Sequence, residues 1–147
     1  QLDRAAAQRR GEELLKLFDL ESRGDELVGG YSHGMRQKTA LAGALLHNPQ
    51  AFFLDEPTVG LDPRSARLIK DILRGVSERG TAVFLTTHIL EIAERMCDRV
   101  AIISGGQVIA TGTMDELRAG HTGASLEDIF LELTGGSEEA EIAAALA

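Results

Sequence analysis

Positive charge is in short supply in this chain. Its 147 residues carry 15 Lys and Arg against 23 Asp and Glu, a net charge of -8. The few cations are scattered, and their longest run is Arg9-Arg10. A nucleic-acid binder would show a basic face, so no nucleic-acid partner is expected. Cysteine is nearly absent too. Cys97 stands alone, which excludes an internal disulfide and makes a reducing compartment the simplest reading. Long apolar runs are missing. The longest, "ALAGALL" and "AFFL", fall well short of the ~18 residues that cross a bilayer. The start shows no charged-then-apolar leader pattern. No internal repeat occurs, and no low-complexity stretch apart from the Ala-rich end. The expectation is one soluble, cytosolic domain, with 44% apolar residues to build an ordinary core.

Short-range signals divide the chain. Residues 3–18 read as a helix with Leu14, Leu15, Leu17 and Phe18 on its apolar face and Gly11 as a weak point. Residues 19–30 hold charges and three glycines and read as loop. A second helix spans 32–46, with Ser32 as its N-cap and Asn48-Pro49 closing it. "AFFLDEP" is a short apolar strand of the kind buried on both faces of a parallel sheet. Asp62-Pro63 opens a helix to Glu78, with Pro63 in the first helical position. "TAVFLTTH" is a second buried strand, and "ILEIAERM" a helix after it. "RVAIISGGQVIATG" reads as a hairpin turning at Gly105-Gly106. Thr113 and Ser125 each have an acid three residues on, Glu116 and Asp128, which marks two capped short helices. The tail "GSEEAEIAAALA" is a weak helix or disordered. Apolar strands alternating with helices argue an α/β class with a parallel sheet.

Ligands of such sheets gather at the carboxyl ends of the strands. The first strand ends in Asp55-Glu56 and the second in Thr87-His88, so both pairs are expected on one edge. Two acids there suit a metal-phosphate site. The first holds Mg²⁺, directly or through water. The second orients or deprotonates an attacking water. A histidine beside them stabilises charge on a transferred phosphoryl group or positions the nucleophile. The plainer reading is an acidic turn at Asp55-Glu56-Pro57 and a helix-start residue at His88. Ser32 and Gly34 begin a helix whose free N–H groups form an anion site, with phosphate as the usual guest. Gly29 and Gly30 let the backbone bend into place before it. Here the plainer reading is a simple N-cap.

These three features occur together and in order. "YSHGM", "AFFLDEPTVGLDP" and "FLTTH" resemble the signature motif, the Walker B strand with its D-loop, and the switch histidine of ATP-binding cassette (ABC) ATPases. The "LDEPT" and "GLDP" stretch is highly specific, and the hairpin that follows also fits. The resemblance implies a partial P-loop NTPase-like parallel sheet flanked by helices, with part of the helical signature subdomain and a C-terminal β-hairpin. Residues 1–47 would belong to the signature subdomain, 48–112 to the Walker B core and hairpin, and 113–147 to C-terminal helices and tail. It implies ATP and Mg²⁺ as cofactors. Asp55 would support the metal, Glu56 would be the general base and His88 would sense the γ-phosphate. Ser32 and Gly34 would touch the γ-phosphate of a nucleotide held mainly by a second copy of the subunit, and Asp62 lies in the loop that crosses to it.

Two departures accompany the resemblance. The family's usual signature is Leu-Ser-Gly-Gly-Gln, and here Tyr31, His33 and Met35 stand for Leu, the first Gly and Gln. A side chain at His33 would crowd the nucleotide or add a donor to it. Tyr-Ser-x-Gly-Met resembles the branch that exports drugs, ions or lipids through a separate transmembrane permease, and so does "SLEDIFLELTGG" at 125–136. The second departure is the P-loop, G-x-x-x-x-G-K-[ST]. The chain has no Gly-Lys pair, and none of Lys16, Lys38 and Lys70 lies in a glycine loop. The expectation is the C-terminal portion of an exporter's ATPase subunit, peripheral on the inner face of the cell membrane and inactive alone. Two other readings stand beside it. One is an ATPase of DNA repair or chromosome maintenance, which calls for long coiled coils and basic patches; residues 3–18 are short and lack heptads. The other is a truncated product that only pairs with other subunits.

Overall fold

The computed structural model describes residues 3–119 and 123–135. The tail read as a weak helix or disordered, residues 136–147, lies outside the described residues. Two compact units divide between Thr86 and Thr87.

The first unit begins with α1, Arg4–Leu17. Asp3 caps it, its carboxylate accepting from the Ala5 and Ala6 amides. Two short 3₁₀ turns, Glu21–Arg23 and Val28–Gly30, organise the segment read as loop. Their anchor is Tyr31, only 5% exposed. Its hydroxyl donates to the Arg23 carbonyl, and the Arg36 guanidinium donates to the Tyr31 carbonyl. Where the family's signature has Leu, this chain thus has an aromatic that fills the core and ties the loop down at its polar end. Helix α2, His33–Leu45, packs on α1 and buries Leu41, Ala42 and Leu45.

Strand β1, Ala51–Asp55, pairs in parallel with β2, Ala82–Thr86, in the register Ala51 to Ala82 through Asp55 to Thr86. Between them runs α3, Pro63–Glu78, which buries Ile69, Ile72, Leu73 and Val76 and packs on β2. Alternation along a strand sends odd and even residues to opposite faces. Phe52 is buried at 5% exposure, whereas Phe53 is 73% and its cross-strand partner Phe84 56% exposed. The two exposed rings stack, with centroids 5.0 Å apart and planes 10° from parallel. The expected two-sided burial of these strands is therefore met on one face only.

The second unit holds α4, Leu90–Met96, a hairpin of β3, Val100–Ser104, and β4, Gln107–Gly112, then α5, Met114–Leu117, and α6, Leu126–Thr134. Gly105 and Gly106 both take positive φ, +55° and +76°, as a tight two-residue turn between right-twisted strands requires. Both capping boxes form, Thr113 with Glu116 and Ser125 with Asp128. Ala93, Ile102, Leu126 and Ile129 make the core of this unit. Glu94 accepts from Arg118 and from the Leu126 amide, and Arg118 also donates to the Ala124 carbonyl, so one partly buried ion pair clasps the three helices. Among the described residues no helix is long and apolar enough to cross a membrane.

Candidate active site

Asp55 is the last residue of β1 and is exposed. The hydroxyl of Thr86, directly across the ladder, donates to its carboxylate. That bond holds one carboxylate oxygen and leaves the other oxygen and further lone pairs for a cation. Among the described residues no group of three or more His, Cys, Asp and Glu side chains gathers into a metal cage. A single well-held carboxylate fits Mg²⁺, which takes one or two protein carboxylates and completes its shell with water and phosphate oxygens.

Glu56 follows immediately, half-buried. Its φ is +47°, in the left-handed region that non-glycine residues seldom occupy. Its amide donates to the Thr86 carbonyl at 3.1 Å, so the turn leaves the sheet still fastened to β2. Pro57 and Thr58 are buried after it, and the Val59 amide closes back on the Glu56 carbonyl at 3.2 Å. Backbone strain of this kind persists only where the surroundings impose it.

The start of α2 rests on the same loop. Ser32 caps the helix, its Oγ accepting from the Met35 amide at 3.3 Å. A hydroxyl that accepts keeps its own proton to donate. Leu61 packs beside Gly34, where an added Cβ would lie 3.4 Å from Leu61 Cδ2, an ordinary van der Waals distance. The ring of His33 stands at the same distance from where a Cβ on Gly60 would be. One turn further along, the Gln37 amide donates to the Pro57 carbonyl at 2.7 Å. His33, Gly34 and Gln37, in the first turns of α2, thus meet the loop at Gly60, Leu61 and Pro57. Sequence reasoning missed Gln37. Its place in those first turns was its only signal.

Asp62 ends the loop and caps α3, its Oδ1 accepting from the Arg64 and Ser65 amides at 3.0 Å each. The hydroxyl and amide of Ser65, with the Arg64 amide, hold its carboxyl below the usual carboxylate range. The residue of the loop expected to cross to a second copy, read as cofactor-binding, thus already has a structural task. Asp55, Glu56, Ser32, Gly34 and Asp62 all lie in the first unit. His88 is exposed and belongs to the second, between Thr87, whose hydroxyl accepts from the Ile89 amide at 3.0 Å, and the start of α4.

The first unit thus brings together a strand-end acid pair on two parallel strands and a capped helix start docked on the turn after it, groups whose chemistry suits phosphate and a hard cation. Comparison with known proteins narrows the class. The family described as "AAA domain, putative AbiEii toxin, Type IV TA system" matches residues 3–94, more than half of the chain. The daunorubicin resistance ATP-binding protein DrrA3 of Streptomyces coeruleorubidus is 45% identical over 129 residues, 88% of this chain and 40% of that protein. The Nod factor export ATP-binding protein I of Rhizobium sp. strain N33 is 43% identical over 117 residues, 80% of this chain and 38% of that one. A solved ATP-binding subunit of an ABC transporter superposes with a TM-score of 0.84 at 38% identity, over 90% of this chain and 56% of that one. The chain belongs to the AAA-domain family of that model, and the relatives and the solved structure it is similar to are ATP-binding proteins and an ATP-binding subunit of an ABC transporter. It spans about 40% of the length of the curated relatives it matches.

Proposed function

We propose that this chain forms the hydrolytic end of an ATP-binding subunit that drives an ABC exporter. Two copies of the subunit pair on a separate membrane permease at the inner face of the cell membrane. The Nod factor export ATP-binding protein among the relatives supports the direction of transport. In this reading Asp55 holds Mg²⁺, which neutralises charge on the nucleotide phosphates when bound. Glu56 takes the proton of a water as that water attacks the γ-phosphoryl group and the bond to ADP breaks. His88 contacts the departing phosphoryl oxygens. Ser32 and Gly34 face the γ-phosphate of nucleotide held by the partner copy, and Asp62 shapes the loop that crosses to it.

The observation that carries the proposal is the turn at Glu56. A carboxylate held at positive φ, tied by its own amide to the neighbouring strand end, sits one residue after the exposed Asp55. Strained backbone clusters where a side chain must be aimed. The test uses the intact subunit, meaning this chain joined to a P-loop-bearing segment. Glu56→Gln keeps the shape and removes the base. Hydrolysis is expected to fall about 10²–10⁴-fold while ATP binding survives. Hydrolysis at the wild-type rate would remove Glu56 from the role.

A further inference from the structure

Two hydrogen bonds fasten the Glu56 turn to neighbouring elements. One is to β2, through the Glu56 amide and the Thr86 carbonyl. The other is to α2, through the side chain of Gln37. Its amide reaches 20 positions along the chain to donate to the Pro57 carbonyl, at 2.7 Å and partly shielded from solvent. The accepting carbonyl lies one residue after Glu56. The loop's own bonds are longer, 3.2 Å from the Val59 amide to the Glu56 carbonyl and 3.4 Å from the Leu61 amide to the Thr58 carbonyl. Thr58 is 7% exposed, and its Oγ1 makes no hydrogen bond among the described residues. The loop therefore lacks a side-chain brace of its own at that point. A residue at φ +47° stays there only while outside contacts hold it.

We propose that Gln37 is a positioning residue for hydrolysis. By binding the Pro57 carbonyl it fixes the direction of the Glu56 carboxylate relative to α2, whose first turn carries Ser32 and Gly34. The inference rests on Glu56 being the base. One side-chain amide then links the helix start that meets a γ-phosphate to the group that activates the water. A neutral donor is what this place requires. A carboxylate would set lone pairs against the carbonyl, and an apolar side chain would leave a shielded carbonyl without its donor.

Three variants of the intact subunit test this. Gln37→Met keeps volume and flexibility but has no donor. It is expected to lower kcat about tenfold, equivalent to 1.4 kcal/mol of barrier. KM for ATP should hold, with the thermal midpoint shifting by only a few degrees. Gln37→Lys restores a donor of similar reach and is expected to recover most of the lost kcat. In a Glu56→Gln background, Gln37→Met should cause no further loss. A wild-type kcat in Gln37→Met overturns the proposal, because packing alone would then suffice. So does a rise in KM equal to the fall in kcat, or an equal loss in Gln37→Lys. The single variant Glu56→Gln separates the two levels. If it abolishes hydrolysis while Gln37→Met has no effect, only the positioning role fails. If it hydrolyses normally, the reading of Glu56 fails and the Gln37 role falls with it.

Discussion

His33 lies against Gly60. A Cβ added at position 60 would stand 3.4 Å from both Cδ2 and Nε2 of the imidazole, and Gly60 sits at φ +73°. The residue that replaces a glycine of the family's signature therefore leans on the loop after Glu56.

Two effects would oppose Gly60→Ala, and their sizes differ. A contact at 3.4 Å is ordinary van der Waals distance, so the ring itself objects little. The left-handed backbone costs a residue with a Cβ about 1–2 kcal/mol. Gly60→Ala is therefore expected to destabilise the chain by about that amount. His33→Gly, which removes the ring, should not rescue it. Urea midpoints of the two single variants and the double decide the matter. Rescue by His33→Gly would mean that crowding, not backbone strain, keeps glycine here.

Acid should loosen the helix caps. Asp62 and Asp128 both have carboxyls held below the usual range, by Ser65 and Ser125 respectively, hydroxyl first and then amide. A carboxyl depressed in the folded state stabilises the fold fully above its unfolded value, near 3.9 for Asp. That contribution shrinks as pH falls below about 4 and is gone once pH passes below the folded-state pKa. Asn caps a helix as well as Asp and does not titrate. Asp62→Asn should match the wild type at pH 6 and lose less of its urea midpoint between pH 4 and 3. Identical acid limbs would show that the cap bond does not discriminate between the two protonation states.

The elements were legible because their signals are local. Asp3, Ser32, Asp62, Thr113 and Ser125 each cap a helix by bonds spanning two or three residues, and Gly105-Gly106 turns a hairpin by its own φ values. The strand-end acids were legible as a motif. What stayed hidden spans distance in the chain. Tyr31 anchors a carbonyl eight positions back, and Gln37 holds one 20 positions on. Nothing in "AFFL" distinguishes buried Phe52 from exposed Phe53, because both are apolar and only packing separates them. The left-handed φ at Glu56 was equally invisible, since glutamate gives no sign of it.

ATP should find little purchase on this chain alone. Phosphate binding in a P-loop ATPase leans on the loop's amides and its lysine. No Gly-Lys pair occurs in the 147 residues. The purified chain is expected to hydrolyse no measurable ATP and to bind it weakly at most. Equilibrium dialysis with labelled ATP checks this. Tight, stoichiometric binding would require a phosphate cradle elsewhere in the chain.

Ser32 separates a cap from a contact. Its Oγ accepts from the Met35 amide, so the capping task is present whatever else the residue does. Asp caps a helix start as well as Ser, and a negative charge suits the positive end of the helix. On stability alone, Ser32→Asp should be neutral or mildly favourable in urea. If the helix start also meets a γ-phosphate carried by a partner copy, the new carboxylate sets like charge against like. Hydrolysis and ATP-driven pairing of the intact subunit should then collapse while the urea midpoint holds. That split is the expected result, read by ATPase assay and by sedimentation with and without ATP. A Ser32→Asp subunit that pairs and hydrolyses normally would leave Ser32 as a cap and move the phosphate contact away from the start of α2.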